Sequence, residues 1–180
     1  MLAPSLASAG PLTAVLVVVL VLAIWFDVRR RRIPNWLTTG GAVAALVVRG
    51  FIGAEAVWAG LLGGTFGLSL GILLFAAGAM GAGDGKLLAT VGSFMGFRAF
   101  VQALPLIGVA GGVLALAVTA RKGTLVPTLL RFRDLLLHIM SFGRLGERRT
   151  LAMPGAVTVP YGVAVAAGAA WGWLTWGAPL

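Results

Sequence analysis

Residues 56–83 carry no charge, and an uncharged stretch of that length limits what the chain can fold into. At about 1.5 Å per residue, a helix needs roughly 20 apolar residues to cross a hydrocarbon core. Other apolar runs precede Asp27, follow Pro34, lie between Asp84 and Arg121, and recur near the end of the sequence. Hydrophobic residues make up 59% of the 180 positions and charged ones 11%, too much apolar surface for a soluble domain to hide. The runs are continuous rather than alternating, which points to helices and away from a β-barrel. The expected fold class is an all-α polytopic membrane protein, a single membrane-embedded domain over 1–180.

The sparse charges set the topology. Lys and Arg number 14 against 5 Asp and Glu, giving a net charge of +9, and the cations gather between apolar runs. Positive-inside bias accounts for this clustering, so no nucleic-acid partner is expected. Arg29 to Arg32 place the loop at 27–35 in the cytoplasm, and Pro34 separates the first two helices. The expected spans are 12–26, 36–52, 57–79, 84–97, 99–120 and 157–176, six helices with both termini outside. Residues 1–12 read as a short outer tail on an uncleaved first helix.

Arg49 is placed where it is able to snorkel to the outer surface, and Trp171, Trp173 and Trp176 are expected to form an interfacial belt. Gly60, Gly64, Gly67 and Gly71 form small-xxx-small pairs suited to close helix packing. Residues 121–149 hold seven basic residues against Asp134 and Glu147, with apolar positions from Leu125 to Met140 at near-helical spacing. That pattern predicts an amphipathic helix on the inner leaflet, held by lipid and carrying His138 at the interface.

No cysteine is present, which removes disulfides, Cys-ligated zinc and thiol catalysis, and the single histidine cannot build a His-rich metal site. The carboxylates are more informative, because an ionisable group at a membrane edge is costly unless exposed, paired or used. Topology puts Asp27 and Asp84 on the same cytoplasmic face. Two carboxylates brought close share a proton, so one can activate water while the other polarises a carbonyl. Such chemistry needs no metal or cofactor. Gly81 and Gly83 before Asp84 permit unusual backbone conformations or close approach, although a tight turn uses glycine too. Asp84 falls near a helix N-terminus and Asp27 near a helix C-terminus, so the helix dipoles should make Asp84 ionise first.

Lys86 either steadies Asp84, meets lipid phosphate or is only a topology charge. Asn35 suits either substrate backbone or turn formation, while Tyr161 and Gly162 suit a cleft lining or an ordinary membrane interface. Two further readings use the same acids: a small transporter or proton relay, and a non-enzymatic assembly factor packed through glycine.

Gly81-Ala82-Gly83-Asp84, followed by Lys86-Leu87-Leu88-Ala89, resembles the GxGD signature of the type IV prepilin peptidases. Asp27 through Ile33-Pro34-Asn35 resembles that family's first aspartate motif, and Pro160-Tyr161-Gly162-Val163-Ala164 a third segment at the start of its last helix. The resemblance implies a membrane aspartic endopeptidase, similar in active-site motif to presenilins and preflagellin peptidases. Asp27 and Asp84 match its catalytic pair, with Gly81, Gly83 and Lys86 in support and Asn35, Pro160, Tyr161 and Gly162 toward substrate. The implied substrates are prepilins or pseudopilins, cut between a cytoplasmic leader and the apolar helix that follows. Lacking the cysteine-bearing domain of the bifunctional members, the chain resembles the short branch serving Flp or tight-adherence pili, which leaves N-methylation without support.

Overall fold

A computed structural model describes residues 10–123 and 161–176, with single helical positions at 126, 130 and 133 between them. Within those residues the chain is all-helical: α1 Gly10–Arg30, α2 Asn35–Gly50, α3 Ala54–Ala76, α4 Ala82–Arg121 and α5 Tyr161–Trp176. Three of these helices, α1, α3 and α4, are long and apolar enough to cross a membrane. Most of the amphipathic segment expected at 121–149, including His138, lies outside the described residues, as does Pro160; Val126, Leu130 and Arg133 are helical and exposed.

The helices pack by an inverted rule. The buried positions of α3 are Ala56, Gly60, Gly63, Gly67 and Gly71. Its larger residues, among them Leu62, Leu68, Ile72 and Phe75, face outward. Water would reverse that order, whereas lipid favours large apolar side chains outside and small ones where helix backbones meet. A Cβ on Gly63 would collide with the carbonyl oxygen of Gly92, and one on Gly71 would stand 2.6 Å from Gly85 Cα. The glycine pairs seen in the sequence are thus the seat on which the first half of α4 rests.

α1 runs further than the expected 12–26 and keeps Asp27 inside its last turns. The arginines at its C-terminal end complement the exposed carbonyls there. The helix stops at Arg31, which has a φ of +50°, just ahead of Pro34.

The 40-residue α4 is a folded-back hairpin rather than one rod. Gly96 interrupts it with φ 74° and ψ 165°, a conformation open to glycine and strained for other residues. Tyr161 lies against Gly111 and also within electrostatic range of Asp84. A straight helix would hold Asp84 and Gly111 roughly 40 Å apart, so the chain must reverse between them. The break falls beside the boundary expected between 84–97 and 99–120.

Arg49 secures this reversal and does not snorkel. Its side chain is fully buried, with Nε donating to the Ser93 carbonyl at 2.9 Å and Nη2 to the Phe94 carbonyl at 2.7 Å. Nη1 donates to the Ala56 carbonyl at 3.0 Å, so α2, the start of α3 and the bend of α4 are joined at one guanidinium. Carbonyls in the last turn before a helix break lack intrahelical partners, and Arg49 supplies them. Trp173 departs from the expected belt as well: it is buried and its Nε1 donates to Thr13 Oγ1 at 3.1 Å, while Trp171 and Trp176 stay exposed.

Candidate active site

α1 ends, α2 begins, α3 ends and α4 begins on one face of the bundle, and the hairpin returns α4 toward the same side, where α5 starts. Asp27, Asp84 and Tyr161 meet there. The Gly162 amide, in the first turn of α5, donates to Asp27 Oδ2 at 2.8 Å, and the Val163 amide also acts on that carboxyl. The Asp84 carboxyl interacts with the backbone amides of Gly81 and Gly162 and with the charge of Asp27. Two acids 57 positions apart in sequence therefore converge on one peptide N–H from a third helix. Asp27 is buried and Asp84 half-buried.

The local architecture gives each acid its place. Gly81 caps α4 and Asp84 stands three residues later, where an acidic side chain can reach back to the capping amide. Gly71 against Gly85 fixes this turn on α3, backbone to backbone. Thr90 Oγ1 bonds to the Thr38 carbonyl at 2.9 Å and ties the same helix to α2. Beside Asp27, the guanidinium of Arg30 lies over Phe26 and that of Arg29 over Trp25, directed to rings rather than to the acid. Arg31 is the arginine whose charge acts on Asp27.

Several expectations change here. Helix position predicts acids at opposite helix ends, yet both face helix N-termini: Asp84 that of α4, Asp27 that of α5. The helix carrying Asp27 presents its C-terminus, but α5 points a compensating N-terminus at the same carboxyl, so dipoles give no order of ionisation. Gly81 has an ordinary φ of −73° and Gly83 is not among the positive-φ glycines, so neither supplies an unusual backbone shape. At Gly81 what matters is room, because a Cβ would lie 2.9 Å from Asp84 Oδ2. Lys86 donates to Asn35 Oδ1 at 2.8 Å, linking the starts of α4 and α2.

Ile33 belongs to the site although the sequence assigned it no role. It is buried, with its N and Cβ 3.5 Å from where a Gly83 Cβ would stand and its Cδ1 3.0 Å from that of Gly162. It is the apolar spacer between the two glycine-flanked acids, and its place beside Pro34 was the available hint.

Such a fold and site define a membrane-embedded helical protein with two carboxylates gathered at one face. The family model described as the type IV leader peptidase family matches residues 14–118, a segment that holds both aspartates, and the chain belongs to that family. No curated protein and no solved structure matches it. Membership makes the chain a membrane protease of the leader-peptidase type.

Proposed function

We propose that the protein removes the short cytoplasmic leader from prepilins or pseudopilins, using Asp27 and Asp84 as an aspartic dyad. The convergence of both carboxyls on the Gly162 amide, within a leader-peptidase family member, carries this reading. In the reaction one carboxylate takes a proton from water as its oxygen attacks the scissile carbonyl carbon. The protonated partner donates a hydrogen bond to the carbonyl oxygen. The tetrahedral intermediate then collapses as a proton reaches the leaving amide nitrogen, and the C–N bond breaks. The Gly162 amide holds the pair in place as the proton moves between them.

In this reading the chain crosses the bacterial cytoplasmic membrane six times. The fold-back of α4 provides two crossings, both termini lie outside, and the acids sit at the cytoplasmic face as the Arg29–Arg32 cluster requires. Lys86 and Asn35 form a strut between the two aspartate-bearing segments, and Tyr161 lines the approach to Asp84. The test is incubation of membranes containing the protein with a leader-bearing small pilin, followed by N-terminal determination of the product. A new N-terminus at the leader junction is expected; an uncut pilin would reject the proposal.

The geometry separates two glycines that look alike in the sequence. A Cβ at Gly162 would stand 2.7 Å from Asp27 Oδ2, so Gly162→Ala must displace the carboxyl. A shift of that kind is expected to slow cleavage by about 10- to 100-fold. Gly83→Ala meets Ile33 only at 3.5 Å, ordinary contact, and should stay within about threefold of wild type. Initial cleavage rates of the two variants at equal membrane content check this order.

A further inference from the structure

The turn of residues 31–34 joins α1 to α2 just after the helix end that carries Asp27. Arg31 and Arg32 are exposed there, yet Ile33 is only 7% exposed and shares a buried apolar cluster with Leu37 of α2 and Leu87 of α4. One side chain of a charged turn is thus drawn into the protein. Its conformation is restricted twice over. Pro34 disfavours helical backbone at the residue before it, and branching at Cβ limits the first side-chain torsion.

Both ends of this residue meet the start of a helix that bears or holds an acid. Its N and Cβ lie 3.5 Å from where a Gly83 Cβ would stand, one residue before Asp84. Its Cδ1 lies 3.0 Å from where a Gly162 Cβ would stand, and that same point is 2.7 Å from Asp27 Oδ2. Ile33 Cδ1 and the Asp27 carboxyl therefore flank one spot on α5, at the residue whose amide donates to Asp27. Neither glycine has a side chain, so the turn fills the space between the starts of α4 and α5 with Ile33.

We infer that Ile33 is a positioning residue for the acid pair: it sets how far the start of α5 stands from that of α4, and so how the Gly162 amide is held between Asp27 and Asp84. The inference rests on the peptidase reading and adds a residue that acts on the reaction only through the two acids. Shortening the side chain leaves a gap that closes by a shift of α5 or admits water to the carboxyls. Either change disturbs the pair. Being buried, Ile33 offers substrate no surface of its own.

The test measures kcat, KM and thermal stability of purified protein in lipid vesicles, with a leader-bearing small pilin as substrate and rates taken per folded molecule. Ile33→Val removes Cδ1 alone and is expected to lower kcat about 3- to 10-fold, and Ile33→Ala about 30-fold, since misplacement by an ångström suffices for such losses. KM should stay within about twofold of wild type. Ile33→Leu keeps the volume and should recover part of what Ile33→Ala loses. An isoleucine that only holds the fold together would lower stability across this series and leave kcat per folded molecule unchanged. That result would overturn the inference while leaving the peptidase intact.

Size complementation gives a second readout. Gly162→Ala sets a methyl group against both Ile33 Cδ1 and Asp27 Oδ2. In Ile33→Val/Gly162→Ala the missing Cδ1 leaves that methyl room to move off the carboxyl, so the double variant should cleave faster than the product of the two single losses. Losses that simply multiply would count against Ile33 as the spacer. No cleavage by the wild type would overturn the peptidase reading and this inference with it. Should Ile33→Ala fail to fold, Ile33→Val and the double variant decide.

Discussion

Asp84→Asn and Asp27→Asn are each expected to slow leader cleavage by about a thousandfold, within the range seen when a general acid or base is removed. The substitution is close to isosteric, so the fold should persist. In Asp27→Asn the new amide oxygen can still accept the Gly162 hydrogen bond, and in Asp84→Asn it can still face the Gly81 amide. What each variant loses is the capacity to exchange a proton. An asparagine neither takes a proton from water nor passes one to the leaving nitrogen, so the remaining acid cannot complete the cycle alone. The check is cleavage rate against protein recovered in the membrane fraction. A full-rate variant of either kind would leave that acid outside the chemistry.

Arg49→Met should be as damaging to the fold as the Asn substitutions are to activity. Methionine fills comparable space, but the carbonyls of Ser93, Phe94 and Ala56 lose their donor in a buried site. Each buried group left unpaired costs about 1–3 kcal/mol, so roughly 3 kcal/mol or more of stability should vanish. The three carbonyls belong to the hairpin bend and to α3, so the loss loosens the element that carries Asp84. A large fall in detergent-resistant, monodisperse protein is expected, measured by thermal unfolding monitored through size exclusion. Arg49→Lys retains one charged donor and should recover only part of the loss, since an ammonium does not reproduce the guanidinium fork. Wild-type stability in Arg49→Met would show that the bend is held by packing alone.

Much of this site was legible before the fold. Arg29 to Arg32 and the uncharged run at 56–83 were enough to place Asp27 and Asp84 on one side, because charge bias and span length act locally. Harder to see were the features built from distant segments. Gly162 meets Asp27 across 135 positions, and no local pattern announces that a third helix will aim its N-terminus there. Helix dipoles weighed from the acids' own helices leave α5 out of account for that reason. Arg49 reads as a snorkelling residue because an arginine near a span end usually reaches water. Its burial depends on carbonyls freed by the bend at Gly96, 47 residues later. Gly96 itself is one of 27 glycines, and its role follows from a positive φ that only the folded chain reveals. Trp173 looks interfacial beside Trp171 and Trp176, yet helical periodicity turns it inward to Thr13.

The most direct test of the pairing is single-turnover cleavage by Asp27→Asn, Asp84→Asn and the double variant, measured together with equal folded protein. Residues that act as a unit are non-additive, so the double variant should be no slower than the slower single. A double variant slowed by the product of the two single losses would show independent acids. Wild-type cleavage by either single variant would contradict the dyad outright.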